Sequence, residues 1–216
     1  MAPYARLEIT LIVLIGAAVT VATGVFLHWW ALLPAILALA LLSFYRDPPR
    51  RTPAAADLLV APADGRVISV QRDYRGGEGE RPELRIVIFL SVLDAHINRS
   101  PCAGKITEVR YRPGQFLNAL RSEATERNES NLVTIQPEPP LVGPVHVRQI
   151  AGVLARRVVC MLEPGDEVRA GERFGMIKFG SQTEIRAPED PHWEMLVSKG
   201  SRVRAGLTVL ARLRER

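Results

Sequence analysis

Gly171-Glu172-Arg173-Phe174-Gly175-Met176-Ile177-Lys178-Phe179-Gly180-Ser181-Gln182-Thr183-Glu184-Ile185 is the stretch on which the reading of the fold turns. Two apolar runs, Phe174 to Ile177 and then Phe179, close on a Gly-Ser pair. Glycine punctuates strands, and aromatic or β-branched residues fill them, so the stretch predicts a β-hairpin. The pair also permits chemistry. Glycine removes the side chain that would crowd its own carbonyl and tolerates strained backbone, so the hydroxyl of Ser181 can approach the carbonyl carbon of Gly180. Gly-Ser pairs are equally common in plain turns, so the chemical reading needs support from the rest of the chain.

Outward from this stretch the pattern stays β-rich. Short apolar runs at 58–61, 67–70, 84–90, 106–111, 132–135, 145–151 and 154–162 are divided by turn signals: Ala63-Asp64-Gly65, Arg75-Gly76-Gly77, Arg112-Pro113-Gly114 and Glu163-Pro164-Gly165-Asp166. Residues 116–127 are the one candidate helix of any length in this part, and the polar stretch 73–83 reads as a loop. An internal echo is present: Pro164-Gly165-Asp166-Glu167-Val168-Arg169-Ala170-Gly171 recurs 35 residues later as Lys199-Gly200-Ser201-Arg202-Val203-Arg204-Ala205-Gly206. Such units, a tight turn followed by a strand, resemble those of biotinyl and lipoyl carrier domains. The expected class is mainly β, a sandwich or barrel-like domain with biotinyl/lipoyl-type hairpin units.

The N-terminal part differs in kind. Residues 9–45 contain no Lys, Arg, Asp or Glu. The run 9–27 is long enough to span a bilayer; His28-Trp29-Trp30 interrupts it, and a shorter run, 31–45, follows. Arg6 precedes the first run and Arg46, Arg50 and Arg51 follow the second, which predicts a hydrophobic helical hairpin with both ends on the cytoplasmic side of a cell membrane. Two alternatives are a cleaved signal peptide ending near Ala22-Thr23-Gly24, opposed by the second apolar run, and a second run that lies in the interface instead of spanning. Asp47-Pro48-Pro49-Arg50-Arg51-Thr52-Pro53 is a stiff linker. The organisation expected is a membrane-anchoring segment at 1–46, a Pro/Arg linker at 47–57 and a β domain at 58–216.

Charge and cysteine content narrow the function. The net charge of +5 suits work at an anionic membrane surface. No dense Lys/Arg run with interleaved aromatics argues for nucleic acid. Cys102 and Cys160 have neither metal-ligand nor disulfide-framework spacing and are expected to pack. No metal is implied.

Two stretches carry candidate chemistry. Pro62-Ala63-Asp64-Gly65 is a turn, and Asp-Gly is a standard turn dipeptide. Phe89-Leu90-Ser91-Val92-Leu93-Asp94-Ala95-His96-Ile97-Asn98-Arg99 ends a β run in a cluster of Asp, His, Asn and Arg. Asp64, His96 and Ser181 have the residue types of an acid-base-nucleophile relay. There is no Gly-x-Ser-x-Gly elbow. On the residues alone two other readings stand: a carrier module modified at Lys178, and a membrane-anchored serine hydrolase.

The order of motifs adds a resemblance. Pro62-Ala63-Asp64-Gly65, Phe89-Leu90-Ser91 with Asp94-x-His96, Tyr111-x-Pro113-Gly114-x-Phe116-Leu117-Asn118-Ala119, Arg127-Asn128-Glu129, Gln149-Ile150-Ala151-Gly152 with Ala155-Arg156-Arg157, and Phe179-Gly180-Ser181 follow one another. Together they resemble phosphatidylserine decarboxylase in its short bacterial and archaeal form, over the chain from about residue 57 onward.

The resemblance implies an inactive proenzyme. Ser181 attacks the carbonyl of Gly180, the peptide becomes an ester, and β-elimination splits the chain into 1–180 and 181–216. The dehydroalanine left at 181 loses ammonia to become a covalent pyruvoyl group, which condenses with the substrate amine and serves as electron sink, as pyridoxal phosphate does elsewhere. Substrate and product would be phosphatidylserine and phosphatidylethanolamine, Arg46, Arg50 and Arg51 would attract the anionic lipid, and the two chains would form a heterodimer. By the same resemblance His96 assists proton transfer and Asp64 belongs to the self-cleavage relay. Two departures stand out: the long form has a second histidine where this chain has Arg99, and reads Leu-Gly-Ser-Thr where this chain reads Phe-Gly-Ser-Gln.

Overall fold

Apolar residues with no polar partner sort away from a patterned β sequence, and the chain accordingly forms two units, Met1–Pro49 and Arg50–Arg216. The computed structural model describes residues 1–76, 81–118, 123–152, 158–178 and 181–214. In the first unit α1 (Arg6–Leu27) and α2 (Leu32–Phe44) are joined by a 3-10 turn, His28–Ala31. They form an antiparallel hairpin whose ends meet where the Ala2 N–H donates to the Tyr45 carbonyl at 2.8 Å. A Cβ at Gly16 would stand 2.8 Å from that of Ala38, so the helices approach where side chains are smallest. The helix Pro3–Phe26 is long and apolar enough to cross a membrane, whereas α2 is shorter than a full span.

The second unit is β. In chain order its strands are β1 (Leu58–Val60), β2 (Gly65–Tyr74), β3 (Glu83–Leu90), β4 (Ile97–Arg99), β5 (Gly104–Arg112), β6 (Ser130–Pro137), β7 (Val145–Ile150), β8 (Val158–Cys160), β9 (Glu167–Val168), β10 (Arg173–Ile177), β11 (Ser181–Pro188), β12 (Trp193–Met195), β13 (Arg202–Val203) and β14 (Val209–Leu213). Eight form one sheet, in the order β13-β2-β3-β11-β7-β6-β5-β9; two three-stranded sheets, β1-β14-β12 and β4-β10-β8, complete the domain. Leu59, Ile86, Ile88, Leu90, Ile106, Val133, Ile135, Val147, Phe174 and Ile185 meet in one core. The mainly β class is as expected.

The expected hairpin at 173–185 is not formed. Both its strands exist, but β10 pairs with β4 and β8, whereas β11 pairs with β3 and β7. The reason is burial. Seven consecutive residues of β11, Ser181 to Ala187, are buried, and a strand buried on both faces needs a neighbour on each edge, which a two-stranded hairpin does not provide. The helix expected at 116–127 reduces to one turn, α3 (Ala124–Arg127), with Phe116 to Asn118 irregular and 119–122 outside the described residues. Asp73 and Tyr74, expected in a loop, extend β2.

The internal echo becomes a structural repeat. Its two copies supply β9 and β13, the opposite edges of the eight-stranded sheet. Each pairs in the same register: Val168 opposite Gly104 and Val203 opposite Gly65. The ends of the copies meet, where Gly171 and Gly206 have φ of 75° and 69° and a Cβ on Gly206 would lie 3.3 Å from the Gly171 Cα. Only glycine suits both that conformation and that approach. The N–H of Gly206 donates to the Ala61 carbonyl at 2.8 Å, and that of Gly171 to the Ser100 carbonyl at 2.7 Å. The segments between exchange bonds reciprocally, Arg99 N–H to Pro62 and Val60 N–H to Pro101, both 2.9 Å.

Arg50 belongs to this framework. Its guanidinium grips the Asp64 carboxylate through both nitrogens, at 2.5 and 2.7 Å, and donates to the Ala205 carbonyl at 2.7 Å; its side chain is 6% exposed. The expectation that Arg50 attracts anionic lipid is therefore corrected: its charge is spent inside the domain. Cys102 packs in the core, and burial pushes its thiol up to about 12, which keeps it protonated and unreactive at neutral pH.

Replacing Asp64 by Asn would leave the Arg50 charge buried without its counter-ion. The expected loss is about 3 kcal/mol in urea unfolding, and the double variant Asp64→Asn/Arg50→Met should lose clearly less than the two single changes added together.

Candidate functional site

The strands on either side of residues 178–180, β10 and β11, are each bonded to the segment around β4. Before it, β3 ends at Leu90, the ladder partner of Ser181. The chain then turns tightly: the Asp94 carboxylate accepts from the Ser91 N–H at 2.8 Å and from its hydroxyl at 2.7 Å. This turn presents Val92 and Leu93 outward, 50% and 82% exposed, and delivers the chain to His96, which is wholly buried.

The carbonyl of His96 accepts from Ile177 N–H at 3.2 Å, four residues ahead of Ser181. Two residues past Ser181, the Thr183 hydroxyl accepts from Asn98 Nδ2 at 3.1 Å. Asn98 Oδ1 in turn accepts from Gln149 Nε2 at 2.9 Å, and Gln149 Oε1 accepts from Asn131 Nδ2 at 3.2 Å. All four side chains are buried. This amide chain ties β4, β11, β7 and β6 together beside the junction. A β-residue close behind it is equally constrained: a Cβ on Gly175 would lie 2.2 Å from the Val159 carbonyl oxygen and 2.9 Å from Gln149 Nε2.

His96 Nδ1 lies 2.9 Å from the Asp94 carbonyl oxygen. A carbonyl only accepts, so this bond puts a ring proton on Nδ1; in the neutral ring the lone pair is then on Nε2, the form a general base needs. Ser181 is 0% exposed, and its hydroxyl has no hydrogen-bond partner among the described residues. Leaving a buried hydroxyl unsatisfied costs about 1–3 kcal/mol, and such cost is found where a group is kept for chemistry.

The three residues singled out in the sequence thus have unequal settings. Ser181 and His96 lie on neighbouring segments of one buried framework. The Asp64 carboxylate is directed to Arg50 and to the Ala205 N–H, 2.8 Å away. Its turn reaches β4 through the Pro62 carbonyl, which accepts from Asn98 Nδ2 at 3.4 Å. Arg99, at the position of the long form's second histidine, is buried and donates to the Gly171 carbonyl at 3.1 Å. Phe179 and Gly180, with the motif residues Ala119, Ala155, Arg156 and Arg157, lie outside the described residues. The amide chain escaped sequence reading. Its signals were Asn98 in the cluster that ends the 89–99 stretch and Gln149 inside the apolar run 145–151.

Comparison with known proteins gives the family. The family model described as phosphatidylserine decarboxylase matches residues 37–211. A relative from Rhodopirellula baltica, described as phosphatidylserine decarboxylase proenzyme, is 40% identical over 99% of this chain and 89% of its own length. Relatives with the same description from Granulibacter bethesdensis and Gluconobacter oxydans are 44% and 47% identical, over 93% and 80% of this chain and 82% and 76% of theirs. The chain belongs to the phosphatidylserine decarboxylase family.

Proposed function

We propose that this chain is a proenzyme that cuts itself between Gly180 and Ser181 and then decarboxylates phosphatidylserine to phosphatidylethanolamine at a membrane surface. The observation that carries the reading is the sealed, unpartnered hydroxyl of Ser181 at the first residue of a doubly buried strand. A serine hydrolase needs its nucleophile open to an external substrate. In the uncut chain a serine closed off from solvent has the preceding backbone carbonyl as its nearest electrophile, and severing the 180/181 bond frees residue 181 to meet a substrate.

The first step is a shift within the chain. Ser181 Oγ forms a bond to the Gly180 carbonyl carbon and gives up its proton, the C–N bond breaks, and the amide nitrogen leaves as an amine. His96, with its lone pair on Nε2, serves as the proton carrier for this step and for later proton transfer at the substrate. Loss of the Ser181 Cα proton with cleavage of the Cβ–O bond releases the Gly180 carboxylate; water then displaces ammonia from residue 181. A pyruvoyl group formed there supplies the electron sink that decarboxylation of an amino acid needs and that ordinary side chains lack. Asn98, Thr183 and Gln149 hold residue 181 beside the His96 segment while the junction is cut. Asp64, locked to Arg50, anchors the 62–65 turn against β4 and contributes to self-cleavage by position.

The cut chains stay together for a structural reason. β11 of the 181–216 chain remains between β3 and β7 of the larger chain, β13 stays paired with β2, and β14 with β1. The product is a heterodimer of large and small chains without a covalent link. Membrane placement is supported by the apolar helix Pro3–Phe26 and by Arg6, Arg46 and Arg51 flanking the apolar runs, which favours a cytoplasmic catalytic domain. The exposed Val92–Leu93 tip sits on the turn that leads to His96, where an apolar contact brings a lipid headgroup to the site. The carrier reading loses its basis, since Lys178 stands at no hairpin tip.

Ser181→Ala should yield one uncut, inactive chain on a denaturing gel; a variant that still splits at 180/181 would refute the role of Ser181. His96→Gln should slow cutting by at least about a hundredfold, the scale of a general base. Leu93→Asp should leave cutting and turnover of a water-soluble short-chain phosphatidylserine unchanged, and lower turnover of phosphatidylserine in vesicles about tenfold, measured as released carbon dioxide.

A further inference from the structure

Residues on a strand alternate between faces. Ser181, Thr183 and Ile185 turn inward, to Asn98 and the core. Gln182, Glu184 and Arg186 turn to the other face of the eight-stranded sheet, and on that face lies a cavity of about 680 Å³. Five arginines from four strands line it: Arg85 on β3, Arg110 and Arg112 on β5, Arg148 on β7 and Arg186 on β11.

Some of this charge is answered. Arg85 pairs with Glu184 at 2.6 Å, Arg186 with Glu83 at 3.1 Å and Glu184 at 3.3 Å, and Arg110 with Glu108 at 3.4 Å. Arg112 and Arg148 differ. Arg112 donates to the Glu126 backbone carbonyl, and Arg148 to the Ser130 hydroxyl at 3.2 Å, both neutral acceptors. Among the described residues neither has a carboxylate in ion-pair range. Burial, and then the neighbouring Arg112 and Arg186, pull the Arg148 guanidinium below its ordinary value, with Glu184 acting partly against them. Two like charges side by side in a cavity are a cost that a bound anion removes.

The geometry points to a binding site for a phosphate ester in this cavity, with Arg112 and Arg148 as its principal anion ligands. Guanidinium forks match phosphate oxygens in pairs. The volume exceeds what a bare phosphate fills and lies in the range of small-molecule sites. Tyr111, 56% exposed, and Leu132 supply an apolar wall for the organic part of the ester, and Arg85 is stacked on Tyr74 with 4.7 Å to the ring centre. A second copy of this chain is a poor occupant, because closing the face on itself brings arginine against arginine. The site is separate from the Ser181 hydroxyl and lies across β11 from it. One contact links the two: the Thr125 hydroxyl, at the cavity wall, donates to Gln182 Oε1 at 3.0 Å, on the residue next to Ser181.

The ester can come from a lipid headgroup or from a soluble metabolite, and one experiment separates them. The detergent-solubilised full chain is titrated with glycerol 3-phosphate at fixed ionic strength, and its Tm is followed. A saturable rise is expected. Arg112→Gln, at an exposed strand end, should raise the half-saturating concentration at least about tenfold, while Lys105→Gln on the same strand leaves it unchanged. Arg148→Gln should act like Arg112→Gln, provided its unfolding stays cooperative. Phosphatidylglycerol in phosphatidylcholine vesicles is then added as competitor: competition identifies a headgroup site, and its absence a soluble-ester site. No saturable rise with glycerol 3-phosphate and no difference between the chain and Arg112→Gln in binding phosphatidylglycerol vesicles would overturn the proposal.

Discussion

A strand buried on both faces cannot end in a polar group without cost, and β11 does so at its first residue. Ser181 brings a hydroxyl into a dry interior with no partner among the described residues. The surrounding structure is arranged around that position. β3 and β7 flank the strand, the Asp94 turn carries His96 alongside, and a chain of buried amides from Asn98 to Asn131 fixes the distance between segments that are far apart in sequence. Each amide is satisfied by another, so the network adds rigidity without leaving further orphaned groups. Against that background the one unsatisfied hydroxyl is a local expense that the rest of the packing supports.

The framework behind the site is a repeat. Two short units bring β9 and β13 to the edges of the large sheet and meet at Gly171 and Gly206. The reciprocal bonds between the 60–62 and 99–101 segments make the halves interdependent. One half departs from the symmetry in a telling way. Asp64 and Ala103 stand at corresponding positions, each just before the glycine that opens β2 or β5. The aspartate recruits Arg50 from the linker and so pins the start of the domain to its core.

Much of this was legible in the sequence, and the exceptions have physical causes. Strand positions followed from local patterning, as at 84–90 and 145–151, because burial and alternation are properties of neighbouring residues. The echo of 164–171 at 199–206 was visible as letters, and its edge positions in the sheet as nothing. Pairing was misread at 173–185, since a strand's neighbours depend on what covers it, and β11 is covered by segments 91 and 32 residues away. For the same reason Arg50 looked like a lipid-facing charge, and its pairing with Asp64 was not visible. Their mutual grip is set by tertiary folding of a proline-rich linker that has no pattern of its own. Ser181 and His96 stood out through the order of motifs along the chain; Asn98 and Gln149 lay in quoted stretches too, but their bonds to each other and to Thr183 are set by the fold that assembles them.

The most direct test of the account is the intact mass of the purified, detergent-solubilised protein. It predicts two chains, 1–180 and 181–216, with the smaller one lighter than its sequence by one ammonia. A single chain of unmodified mass, or a small chain that retains an N-terminal serine, would contradict the claim that the buried Ser181 is the group this fold is built to convert.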